Sequence, residues 1–162
     1  MSLTQSYVGT NSIGGSTQAP GTHTAYVKQV TIPAGGLLVA IEGYLLLAGS
    51  ARIAYRVGWW DDNSGDPGVM RGLFPQPSAI SMRLGGTDRW LGAAMSAYFA
   101  SETDIWIGIH IFEATTNGLA FAGSGSDRTI NASGRWTSET GGLDVFVSTT
   151  TNDYSIRGSV LT

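Results

Sequence analysis

Ala51–Gly68 reads ARIAYRVGWWDDNSGDPG, a β-strand that runs into an acidic turn punctuated by glycine and proline. Ile53, Tyr55, Val57 and Trp59 fall on alternate positions, so in an extended chain all four leave one face. Asp61, Asp62, Asn63, Ser64, Gly65, Asp66, Pro67 and Gly68 then supply nearly every residue type that favours a turn. A strand of this kind ending in such a turn belongs to an antiparallel sheet with surface loops.

The flanking segments repeat the pattern. Ala25–Ile32 alternates loosely and stops at Pro33-Ala34-Gly35-Gly36. Leu37, Val39, Ile41, Leu45 and Leu47 are expected to line one face of a long strand, with Gly43 at a bulge or close contact. Gly49-Ser50 is then expected to turn that strand into the 51–60 strand as a hairpin. Val69–Pro77 reads as irregular, since Pro75 and Pro77 oppose a helix, and Ala79–Leu84 as a weak strand. In Trp90–Phe99 the spacing of Leu91, Ala94, Met95 and Tyr98 fits a helix, but Gly92 and the surrounding β pattern favour a strand. Thr103–Phe112 is the clearest strand: Ile105, Ile107, Ile109 and Ile111 point one way, Trp106, Gly108, His110 and Phe112 the other. Both of its faces are therefore expected to be buried or covered by a partner. A Gly/Ser/Asn-rich stretch over 123–142 precedes strands near Leu143–Val147 and Tyr154–Leu161.

Eight or nine short strands with turn signals between them predict an all-β fold, a single antiparallel jelly-roll-like β-sandwich over residues 24–162, with a barrel as the lesser option. Residues 1–23, rich in Gly, Ser, Thr and Asn, form an extended N-terminal arm, expected to lie on a neighbouring subunit rather than on its own domain.

Composition narrows the function. A chain of 162 residues fits one domain, which at this size buries roughly 70% of its unfolded surface, so no disulfide staple is needed, and there is no cysteine. Charged residues are 13% of the chain, against about 25% in ordinary soluble domains, and Lys28 is the single lysine. The net charge of −3 gives no electrostatic reason to bind nucleic acid. The N-terminus has neither the basic region nor the apolar core of an export signal, and Leu37–Ala48, interrupted by Glu42 and Gly43, is too short for a membrane span. Low charge with many Gly, Ser, Thr and aromatic residues suits a surface that meets protein neighbours or neutral polar ligands.

Asp61, Asn63 and Asp66 offer hard oxygen ligands to Ca²⁺, but their spacing departs from the EF-hand loop and the stretch reads first as turn chemistry. His23 and His110 are the only histidines; His110, mid-strand with Trp106 and Phe112, reads as a packed or interface residue rather than a catalytic base. Ser124 lacks the nucleophile-elbow spacing, and no carboxylate pair suggests glycoside hydrolysis. Trp60, consecutive with the inward Trp59, is expected to face outward, where a subunit interface, packing within the domain or stacking on a sugar ring are the alternatives. Trp90 and Trp136 sit beside Arg89 and Arg135, which suggests cation–π contacts or interface anchors.

Three features occur in one order: ARIAYRVGWWDD followed by NSGDPG, Thr103-Asp104-Ile105-Trp106-Ile107-Gly108-Ile109, and a closing Asp153-Tyr154-Ser155-Ile156-Arg157-Gly158. This order resembles the jelly-roll domains of small structural proteins of tailed bacteriophages, especially those infecting actinobacteria, over roughly residues 25–161. The chain departs from that pattern at Ile105, where an aromatic residue is more usual. The resemblance implies a minor tail or capsid-surface protein that forms homo-oligomers, often trimers, and attaches to other virion proteins. The expected function is thus a non-enzymatic virion structural protein, made in the host cytoplasm, without cofactor unless the acidic loop holds Ca²⁺. The alternative is a carbohydrate-binding module that recognises host-surface glycan through Trp60 and the Asp61–Asp66 loop.

Overall fold

A computed structural model describes residues 3–19, 24–47, 52–74, 80–83, 88–114, 117–122, 125–132 and 145–162, and every regular element among them is a strand. In chain order these are β1 (Gln5–Gly9), β2 (Ser16–Gln18), β3 (Thr24–Ile32), β4 (Gly36–Leu47), β5 (Arg52–Asn63), β6 (Asp66–Phe74), β7 (Ile80–Arg83), β8 (Arg89–Phe99), β9 (Thr103–Ala114), β10 (Asn117–Ala122), β11 (Arg128–Ala132), β12 (Val145–Thr149), β13 (Asp153–Tyr154) and β14 (Ile156–Leu161). They form two antiparallel sheets packed as a sandwich. The first runs β1-β14-β4-β10-β13, with β8 on the other side of β4 and β2 on β10; the second runs β12-β11-β3-β9-β5-β6, with β7 also on β5.

The main core lies between the sheets. Ile105, Ile107, Ile109 and Ile111 of β9, with Tyr55 and Val57 of β5, meet Leu38, Ile41 and Leu45 of β4 and Ile156 and Val160 of β14. Strand β8 keeps a strict period of two: Leu91, Ala93, Met95, Ala97 and Phe99 face this core, while Ala94 and Tyr98 point to solvent, so the helical spacing is incidental. In β4 the parity differs from expectation. A register shift between Leu38 and Ala40 turns Leu38, rather than Leu37 and Val39, into the core. At Gly43 the structure shows close approach: a Cβ would stand 3.1 Å from Leu119 and 3.3 Å from Ile109 of the facing sheet.

Two expected connections are corrected. β4 and β5 lie in different sheets, so they form no hairpin. The hairpin is β5–β6, closed by Ser64 (φ 56) and Gly65 (φ 88), the left-handed pair that matches the twist of two-residue turns. The turn is therefore tighter than Asp61–Gly68, and of Val69–Pro77, expected to be irregular, the described part up to Phe74 belongs to strand β6 (Asp66–Phe74).

The N-terminal arm is also corrected. Its described part lies on its own domain: β1 pairs with β14 from Gln5↔Leu161 to Gly9↔Arg157, and β2 pairs with β10. Without β1, β14 would expose a row of unpaired backbone groups, and the arm satisfies them.

A second, smaller core occupies the outer face of the second sheet. Ala25 and Val27 of β3, Trp60 of β5, Leu73 of β6, Trp106 of β9 and Ile130 of β11 bury one another there, with Met70 at the margin. The sheet curls far enough for β6 and β11 to touch. At that closure the Arg128 guanidinium donates to Asp66 at 2.8 Å and to the Gly65 carbonyl at 3.3 Å.

Candidate functional site

The acidic hairpin is held by donors from its own domain. Asp62 Oδ1 accepts from Trp106 Nε1 and from Gln29 Nε2, both at 2.8 Å, while Oδ2 caps the Gly65 amide at 3.2 Å. Asp61 accepts from Arg71 Nε at 2.6 Å, and Asp66 pairs with Arg128, whose guanidinium carbon lies 5.5 Å from the Trp106 ring centre. Asp61 and Asp66 thus each face an arginine, and Asn63 is exposed at the tip. Among the described residues no group of three or more His, Asp or Glu is placed to hold a metal ion.

Trp60 lies on the opposite face from Trp59, as the alternation requires, but it is only 2% exposed. The expected outward tryptophan is covered by the sheet's own curl, which removes it as a sugar platform. His110 is buried too, opposite Arg56 and Ala25 in register. Trp136, Arg135 and His23 lie outside the described residues.

Trp90 is half-buried on the outer face of the first sheet. The cation over its ring comes from Arg157 of β14, two strands away, while Arg89 is exposed at the start of β8. Arg157 is stacked between two rings, 4.3 Å from Tyr7 and 4.1 Å from Trp90. Its Nε donates to Glu42 at 2.8 Å and its Nη1 to Asn11 at 2.9 Å. Tyr44 meets Trp90 edge to face, with ring centres 5.5 Å apart. This cluster joins β1, β14, β4 and β8 and ends in the exposed Tyr7.

A third cluster escaped sequence reasoning. Lys28 of β3 shares the parity of Tyr26, Val30 and Ile32, so it points between the sheets, where it is 8% exposed. Its Nζ meets two carboxylates, Asp127 just before β11 and Asp153 of β13. Asp127 Oδ2 accepts the Tyr154 amide at 2.6 Å, and Asp153 Oδ1 accepts the Thr10 hydroxyl at 2.9 Å. Tyr26 and Phe121 each pack edge to face on Tyr154 beside it. Burial pushes the Asp127 carboxyl above the ordinary carboxylate value, against the opposing pull of Lys28 and the Tyr154 amide. Burial likewise raises the Tyr55 and Tyr154 phenols. The sequence signal was a lone lysine at an inward parity in an apolar strand; its partners are 99 and 125 residues away and follow only from the fold.

Taken together, the fold and these clusters define a two-sheet β-sandwich with polar pins. Comparison with known proteins returns no matching family model, no matching curated protein and no matching solved structure.

Proposed function

We propose that the chain is a non-enzymatic structural protein of a bacteriophage particle, carried on the capsid or tail surface as a homo-oligomer. The observation that carries this reading is the N-terminal strip. Leu3, Tyr7 and Ile13 are 71%, 45% and 53% exposed, although Tyr7 lies in β1, which pairs with β14, and the Thr4 and Gly14 amides beside the other two donate to the Thr162 carbonyl and the Ser155 hydroxyl. An ordered segment that holds apolar side chains away from its own core offers them to a neighbour. The low charge and the resemblance to phage jelly-roll proteins point the same way. Attachment thus runs through an arm docked at home, rather than one that reaches out.

Light scattering on the full chain tests it, beside a Leu3→Ser/Tyr7→Ser/Ile13→Ser variant that keeps β1 and β2. A discrete oligomer that the triple variant reduces to monomers is expected. A monomer at every concentration, unchanged by the substitutions, would overturn self-association. Mass spectrometry of particles of the phage that encodes the chain checks the virion location, where absence from purified particles sinks it.

A further inference from the structure

The Lys28 cluster has the parts of a bond-forming site. Its nucleophile is a buried primary amine held against one carboxyl group: Nζ lies 3.1 Å from Asp127 Oδ1 and 3.0 Å from Oδ2. Two such distances are those of a two-point ion pair, which keeps Nζ close to the carbon between the oxygens; attack requires the carboxyl to turn its face to the amine. Oδ2 already faces a backbone donor, the Tyr154 amide, where a developing oxyanion would be stabilised. Asp153, in direct contact with Nζ and less buried than Asp127, stands where a base would take the ammonium proton.

We propose that Lys28 and Asp127 condense within the folded chain into a side-chain amide, with Asp153 as proton carrier. The Lys28 ammonium gives a proton to the Asp153 carboxylate, and the freed lone pair attacks Cγ of the protonated Asp127 carboxyl. The new C–N bond forms as the negative charge collects on Oδ2, facing the Tyr154 amide. The nitrogen then sheds its second proton to solvent at the open side of Asp153. Asp153 returns its own proton to Oδ1, the C–Oδ1 bond breaks, and one water leaves. The ammonium and the neutral carboxyl become –CO–NH– plus water and one proton released to solvent, with nothing oxidised or reduced.

Three features favour the step. Burial raises the Asp127 pKa, which favours the neutral carboxyl that the attack needs. Two groups held together in a fold react at effective molarities that reach about 10⁵–10⁸ M when well oriented. One buried cation facing two carboxyls is a costly arrangement, and amide formation withdraws a cation and an acid from the dry site together. The reaction occurs once per chain, so it makes the protein a substrate of its own fold and not an enzyme with turnover. It is independent of the virion reading.

The test is the intact mass of purified full-length protein under denaturing conditions. The expected mass is about 18 Da, one water, below that of the sequence. Because Lys28 is the single lysine, a lysine-specific protease should also fail to cut the denatured chain. Lys28→Arg and Asp127→Ala should keep the full mass, and Asp153→Asn, which retains both reacting groups, should keep it too or lose the water many-fold more slowly. Full mass with cleavage after Lys28 in the folded, aged wild type overturns the proposal, as does a mass loss in a chain still cut at Lys28. The wild-type result decides even if a variant does not fold. An Asp153→Asn chain that condenses at the wild-type rate removes Asp153 from the step.

Discussion

The two faces of the second sheet are both buried, but by different means. On the inner face the isoleucines of β9 are covered by another sheet, and aliphatic and aromatic side chains fill the space between. On the outer face Trp60 and Trp106 are covered by the sheet's own curl, with Arg128, Asp66 and Asp62 as pins. A face closed by a neighbouring sheet can be filled with shape alone. A face closed by bending must also fix the bend, and here indole and guanidinium donors on carboxylates do so.

If the outer face is a true core, truncation should cost as much there as inside. Trp60→Ala is expected to lose about 3–5 kcal/mol and Ile109→Ala about 2–5 kcal/mol in urea unfolding. A loss below about 1 kcal/mol for Trp60→Ala would place that residue at an open surface and break the comparison.

The same contrast explains what the sequence disclosed. The inner face was readable from β9 alone, because alternation along Ile105–Ile111 needs no partner to be seen. That Trp106 and His110 are buried also followed, because two apolar faces on one strand demand two covers. What covers the outer face did not follow, since the curl brings Arg128 to Asp66 across 62 residues of sequence. Hence Trp60 was expected outward. The parity of β4 was hidden by a bulge, which shifts a strand's phase without leaving a residue type to mark it. Lys28 was visible as a lone lysine, but Asp127 in the Gly/Ser/Asn-rich stretch and Asp153 at the head of the closing strand bore no mark of a shared partner until the sheets brought them together.

A pH profile sharpens the inner side, where Lys28 is the polar exception. Since the folded pKa of Asp127 is raised, the folded chain holds its proton more tightly than the unfolded one. Its contribution is complete below the unfolded pKa, near 3.8, and is lost as pH rises through the folded value. Once the amide has formed neither group titrates, so this slope belongs to unlinked chains. Lys28→Arg should lose stability over that window, by up to about 1.4 kcal/mol per pH unit for one proton. Lys28→Arg/Asp127→Asn should lack this contribution, and the same profile in both would remove Asp127 as its source.

On the outer side the pin itself can be drawn. Arg128→Ala removes the tie between β6 and β11, and because Asp66 is more than half exposed the expected loss is only about 1 kcal/mol. The more telling readout is tryptophan emission, which should shift to the red as water reaches Trp106. An unchanged emission would mean that apolar contact alone holds the curl.

The outer face of the first sheet is the control, because among the described residues nothing curls over it. Arg157 there performs the pin's role in the open, stacked between Tyr7 and Trp90 and paired with Glu42. A planar guanidinium can stack on two rings while donating along its edge; an ammonium keeps the charge but loses that geometry. Arg157→Lys should therefore cost about 0.5–1 kcal/mol, the range of a cation–π contact near solvent. Most of that loss should appear as fraying of β1, read by faster amide exchange over residues 5–9, because Tyr7 is the ring that only Arg157 and the ladder to β14 tie down among the contacts described. If exchange accelerates equally across β8, the stack supports the whole sheet, and the arm is no more weakly held than the strands it covers.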